Sequence, residues 1–207
     1  MDDYNNEIKE LVKDLTFEEN LTFALTCINR VKHFPKYLLN SDTYAIQYIE
    51  EIHDIPRKNI IPILDEIVNK ININPLEIKN NEIIEKIEVL DKLCVHSDED
   101  GSIENSLFLN YLIILHYTLM YIKEKKYENI YWCSNNTIEM VDTMEYNRFC
   151  KKNKSCNDKE IYDYLDIIGK NEVEKQKEII ETIKRNQITL NEYIERNMID
   201  FEIIEEK

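Results

Sequence analysis

Thr16-Phe17-Glu18-Glu19-Asn20-Leu21-Thr22-Phe23-Ala24-Leu25-Thr26-Cys27-Ile28-Asn29-Arg30-Val31 decides the fold class. Phe17, Leu21, Ala24, Leu25, Ile28 and Val31 recur at steps of three and four, which collects them on one face of a helix. Thr16 and Glu19 stand three apart, as in a capping box, where hydroxyl and carboxylate each satisfy an orphan backbone amide. The pattern predicts a helix that stops before Pro35, because the residue preceding a proline is pushed out of helical geometry.

The same code recurs outward from this stretch. Asn157 with Glu160, Asn171 with Glu174 and Thr189 with Glu192 each place a cap and its acceptor three residues apart, predicting three C-terminal helices. Asn74-Pro75 supplies a cap and a first-turn proline for a helix reaching about Val95, with Ile83, Ile84, Ile87, Leu90, Leu93 and Cys94 on its apolar face. Pro56 and Pro62 predict separate helices near 41–54 and 58–70, since an interior proline forfeits a hydrogen bond. Ile103 to Ile122 is the most apolar run, yet it carries Glu104, Asn110 and His116 and is marginal for a membrane span. It reads as a buried central helix, with His116 bonded to a carbonyl in the core. Strands are poorly supported. The expectation is one all-α domain over 1–207, about eight to ten helices around the apolar helix at 103–124, with loops at Ser97–Ser102 and Lys151–Lys154.

Composition narrows the functions open to such a bundle. The 207 residues carry 41 Asp+Glu against 26 Lys+Arg, a net charge of −15, with 43 % apolar and 32 % charged residues, a soluble globular profile. Two glycines, Gly101 and Gly169, are too few for a Gly-rich phosphate loop or a dinucleotide fingerprint. The acidic balance excludes nucleic acid as a partner, because that binding rests on Lys and Arg displacing condensed counterions. The N-terminal Met1-Asp2-Asp3-Tyr4-Asn5-Asn6-Glu7 lacks the basic and apolar regions of a signal peptide. The five cysteines, Cys27, Cys94, Cys133, Cys150 and Cys156, lack disulfide-scaffold spacing. They read as reduced thiols of a cytoplasmic protein with no membrane partner.

Four constellations bear on chemistry. His96 to Glu104 places Asp98, Asp100 and Gly101 as in a calcium loop, but His96 and Leu107 occupy the first and twelfth positions, where oxygen ligands are required. It reads instead as an acidic loop favouring the dipole of the following helix. Cys94 with His96, and Cys150 with Cys156, lack zinc-knuckle spacing. No glycine turn exposes a nucleophile. Finally, the dipeptide His53-Asp54 resembles the doublet of the HD-type metal phosphohydrolases, an all-helical class. That resemblance implies His33, His53, Asp54 and Asp142 as ligands of a water-activating metal. The following Ile55-Pro56-Arg57 departs from the small residues usual there. No catalytic set, metal or cofactor is assigned from the sequence.

Three stretches together resemble the YjaG-like bacterial family, a helical domain of unknown function. The first is Leu21-Thr22-Phe23-Ala24-Leu25 through Arg30, Pro35 and Tyr37. The second joins Asp98-Glu99-Asp100 and the apolar helix to Ser134-Asn135-Asn136-Thr137-Ile138, Val141 and Glu145. The third is Glu174-Lys175-Gln176-Lys177-Glu178-Ile179-Ile180. The tryptophan of that family's opening is absent, Trp132 being the sole one here. The resemblance implies a single all-α domain and no assigned activity.

The function expected on these grounds is non-enzymatic: an acidic immunity protein that neutralises a basic bacterial toxin domain, gaining steered association and electrostatic complementarity. Residues 51–100 hold 12 acids against 6 bases, which singles them out as the contact face. Asp91, Asp98, Glu99, Asp100 and Glu104 are the expected charge contacts, with Tyr111 and Tyr131 as aromatic anchors. The alternatives are the metal phosphohydrolase and a helical regulatory protein or homodimer.

Overall fold

A computed structural model describes residues 2–38, 44–95, 101–185 and 199, and every regular element among them is helical. The order is α1 (Asp2–Lys13), α2 (Phe17–Val31), α3 (Phe34–Leu38), α4 (Tyr44–His53), α5 (Arg57–Ile73), a 3₁₀ turn (Pro75–Glu77), α6 (Asn80–Leu93), α7 (Ile103–Glu124), α8 (Tyr127–Lys152) and α9 (Asp158–Lys184). The all-α architecture expected from periodicity is present.

α7 is the central helix. Ser102 caps it by accepting from the Asn105 amide, and Leu107, Phe108, Tyr111, Leu112, Ile114, Leu115 and Leu119 are buried along it. By length and composition it could cross a membrane, but 61 % of its apolar window is buried inside the bundle. α8 returns antiparallel beside it and also meets α1, α2 and α9. Lys125 makes the turn between α7 and α8 in the left-handed conformation, φ 58°, donating its amide to the Tyr121 carbonyl. Phe17 stacks on Tyr121 at 5.1 Å, and the Lys125 ammonium lies 5.2 Å from the Phe17 ring centroid. The start of α2 is thereby fastened to this turn.

Local signals hold where they are purely local. Thr16 and Glu19 form the capping box of α2, and Asn157 and Glu160 form that of α9. α4 ends at His53 and α5 begins at Arg57, on either side of Pro56. Pro62 lies inside α5 on its exposed face, where water can serve the Lys58 carbonyl left without its amide.

Several expectations are corrected. Asn171 starts no helix, because α9 runs unbroken through it. Its inward stripe of Ile168, Val173, Gln176, Ile179, Ile180 and Ile183 keeps helical period across the supposed boundary, and burial of that stripe overrides the cap. Thr189 and Glu192 lie outside the described residues. Pro75 opens a 3₁₀ turn, and α6 starts only at Asn80. α2 ends at Val31, before Pro35 as expected, and Pro35 itself lies in the short, separate α3. Lys151 and Lys152 finish α8, so the second loop begins at Asn153.

One polar chain runs through the core. Arg30 of α2 donates to both carboxylate oxygens of Glu172 of α9, at 2.5 and 2.8 Å, with both side chains 2 % exposed. Gln176 Nε2 donates to Glu172 Oε1 at 3.1 Å, and the Ser134 hydroxyl of α8 donates to Gln176 Oε1. Three helices are thus joined through groups that would each be costly to bury alone.

Candidate functional site

Of the expected contact face, the structure brings Asp91 and Tyr131 onto one surface strip. Asp91, exposed on α6, sets its carboxylate 3.8 Å from His116 Nδ1 of α7. The His116 ring meets Tyr117 edge-on at 5.5 Å. Tyr117 stacks on Trp132 of α8 at 6.0 Å, and Trp132 abuts Tyr131 at 5.1 Å. The Lys9 ammonium of α1 lies 5.6 Å from the Tyr131 ring. Asp91 and Tyr131 are therefore the two ends of one continuous strip, with Trp132, 41 % exposed, at its heart.

Tyr111 is no anchor. It is 2 % exposed inside α7, and burial holds its phenol well above the usual range. Glu104 is half-buried in the first turn of α7, three turns and about 18 Å along the axis from His116, so it stands apart from the strip. Asp98, Glu99 and Asp100 lie outside the described residues. His116 is also corrected: it is half-buried and faces a carboxylate, where a core histidine bonded to a carbonyl was expected. Trp132 and Tyr117 were not singled out from sequence. The signal that locates them is the helical hairpin, in which residues about equally far from the Lys125 turn face each other.

A second feature is a groove of about 670 Å³ between α8 and α9. Ile138, Leu165 and Val173 form apolar walls, and Tyr146 and Tyr162 line it as well, 44 % and 72 % exposed. Glu139, Asp142, Asp163 and Asp166 bring four carboxylates to it. Asp166 is bonded to Lys170 at 2.6 Å and Asp163 to Lys159 at 3.3 Å. Asp142 differs: its Oδ1 is buried without a hydrogen-bond partner among the described residues. Desolvation, followed by the charges of Glu139 and Glu172, pushes its carboxyl up to about 7. Burial raises Glu139 too. Gly169 of α9 faces Asp142, and a Cβ there would sit 3.8 and 3.9 Å from its two oxygens.

The ligand set implied by the HD-type resemblance is dispersed. His33 is exposed in the turn after α2. His53 ends α4 edge-on to Tyr48 at 5.8 Å, and Asp54 is exposed at φ 53°. Asp142 lies in the α8–α9 groove. Among the described residues no three His, Cys, Asp or Glu side chains gather as a metal site. All five cysteines are free thiols, with Cys27 and Cys133 buried and the other three half-buried. Desolvation pushes the Cys27 and Cys94 thiols up to about 11, which keeps them protonated and inert.

Comparison with family models, curated proteins and solved structures finds no match to the chain.

Proposed function

We propose that this chain is a cytoplasmic, non-enzymatic binding protein of the immunity type, which neutralises a basic bacterial toxin domain by docking it on the Asp91–Trp132 strip. The observation that carries this reading is the half-exposed Trp132 supported on both sides by Tyr117 and Tyr131. Indole and phenol rings bury large area at small entropic cost, and Trp and Tyr are enriched among residues that dominate binding energy. Neighbouring aromatics hold the indole ready, which lowers the ordering cost of docking.

Charge around the strip selects a basic partner. Glu88 and Asp91 lie one turn apart on α6, and Glu128 precedes Trp132 by one turn on α8, all three exposed. On a chain of net charge −15 they give a rim that speeds encounter with a cationic surface and rejects acidic ones. The YjaG-like resemblance adds only a helical domain to this reading.

The test is co-expression with a basic toxin domain encoded beside this gene, followed by binding kinetics. A stable complex is expected, with association slowing as salt rises from about 0.05 to about 0.5 M. Trp132→Ala should weaken it about 30-fold or more, as for a hot spot of 2 kcal/mol. Asp91→Lys should act mainly on the association rate. A complex indifferent to Trp132→Ala and to salt would reject the assignment.

A further inference from the structure

The α8–α9 groove is not needed for docking on the Trp132 strip, and its chemistry points elsewhere. We propose that it is a binding site for a small organic cation, an ammonium or amidinium group carried on an apolar body, with Asp142 and Glu139 receiving the charge and Tyr146 and Tyr162 flanking it.

Size, polarity and one unsatisfied group support the assignment. A cavity of about 670 Å³ falls in the range of small-molecule sites, which pair mostly apolar walls with a few placed polar groups. Asp163 and Asp166 have lysine partners on their own helix. Asp142 Oδ1 has none among the described residues, and a buried acceptor left unbonded costs free energy that a donor from a ligand would recover. An ammonium brings three donors and a charge. The faces of Tyr146 and Tyr162 attract a cation through their quadrupoles, while Ile138, Leu165 and Val173 suit the remainder of the molecule. At Gly169 no side chain stands between α9 and the Asp142 carboxylate, where a Cβ would lie in ordinary contact with both oxygens.

Other ligand classes fit less well. An anion would meet four carboxylates. A neutral hydrophobe would desolvate Asp142 further and give nothing in exchange. A divalent ion would find Glu139 and Asp142, one turn apart on α8, but no third ligand beside them among the described residues, where hard cations take six or more oxygens.

The groups facing Asp142 also make binding sensitive to pH. Glu139 faces it from its own helix, and Glu172, Asp163 and Asp166 from α9. The cations recorded beside these carboxylates are already engaged, Arg30 of α2 with Glu172, Lys170 with Asp166 and Lys159 with Asp163. With its carboxyl pushed up to about 7, Asp142 is largely protonated at pH 6 and ionised at pH 8. An alkylammonium stays charged throughout, so affinity should rise over that interval.

The full chain would be titrated with phenethylamine by calorimetry and by heteronuclear NMR, with phenethyl alcohol as the uncharged control and Mg²⁺ as a competitor. Expected are shifts confined to the α8–α9 groove, affinity at least about tenfold above that of the alcohol, and strengthening from pH 6 to 8. Asp142→Asn should weaken binding about tenfold or more. Gly169→Leu, which puts a good helix former where a Cβ has room, should abolish it by filling the groove. Circular dichroism and cooperative unfolding would confirm that both variants are folded. Equal affinity for amine and alcohol, an unaffected Asp142→Asn variant, saturation by Mg²⁺ that the amine cannot displace, or no amine binding in the millimolar range would each overturn the proposal. None of these outcomes depends on whether the Trp132 strip takes a toxin.

Discussion

Arg30 and Glu172 are 142 positions apart and meet in the core as a buried, doubly hydrogen-bonded ion pair. Nothing in the spacing around Arg30 announces this: within α2 it reads as one more helix residue, and its partner is set by how α9 lies across α2. Deleting one member leaves the other charged and buried, so Arg30→Ala should cost about 3–5 kcal/mol in urea unfolding. Replacing both, Arg30→Met with Glu172→Leu, should recover most of that loss, because the desolvation penalty disappears with the charges. A double variant as unstable as the single one would contradict this account.

Asp142 supplies a pH signature at the same scale. Its ordinary value is 3.8 and its folded value is about 7. Between those pH values the folded chain holds a proton that the unfolded chain has released. Stability is therefore highest below about pH 4 on this account, falls as pH rises to about 7, and changes no further above it. Asp142→Asn should flatten that slope and be more stable than the natural protein at pH 8, as read from urea midpoints across pH. An unchanged slope would show that the carboxyl is better solvated than its buried Oδ1 indicates.

Helices and their ends show why local reading succeeded in some places and failed in others. The boxes at Thr16 and Asn157 were legible because three consecutive peptide units contain the whole interaction. Asn171 carries the same letters and fails, since the turn it would open is already held in the core by inward Glu172, Val173 and Gln176. α8 escaped notice for a different reason: its buried face mixes Ile130, Cys133, Met140 and Met144 with polar residues. Asn129, Ser134, Asn136 and Thr137 are all buried among them, so the apolar stripe that betrays a helix is interrupted. They are accommodated locally, Asn136 donating to the Trp132 carbonyl at 2.7 Å and Thr137 to that of Cys133 at 2.9 Å, the back-bonding available inside a helix. The groove and the strip both lie along α8, so neither could be found before α8 was.

The scarcity of glycine also leaves its mark on the elements. The left-handed positions at Asp54 and Lys125 are ones where glycine would be the unstrained choice, yet one of the chain's two glycines sits inside α9. Gly169→Ala has room, its new Cβ in ordinary contact at 3.8 Å. It should stabilise the protein by about 0.5–1 kcal/mol, seen as a melting temperature about 1–4 °C higher. A fall in melting temperature would mean that α9 and α8 approach more closely than these distances allow.

At the level of the whole molecule, fold class was legible because a 3.6-residue period is written into most of the long segments and does not need the partners to be known. Sites were not, because each is assembled from two to four helices whose pairing is a property of the packed bundle. The acidic excess was legible as a number, and its consequence is general: a chain of net charge −15 repels itself when compact. Adding neutral salt from about 0.01 to about 0.3 M should therefore raise the unfolding midpoint. A midpoint that falls would show that the exposed ion pairs, such as Lys86 with Glu66 at 2.9 Å, outweigh the repulsion.

The chain of polar groups from Arg30 through Glu172 and Gln176 to Ser134 has one more outcome. Isoleucine and leucine surfaces slide past one another with little preference for position, and a core built mainly from them tolerates helices displaced by a turn. Here such a slip, about 5.4 Å, would strand a guanidinium, a carboxylate, an amide and a hydroxyl at once. α9 is thereby indexed to a single setting against α2 and α8, and the hollow beside Asp142 keeps its outline because a lock some distance behind it has only one key position.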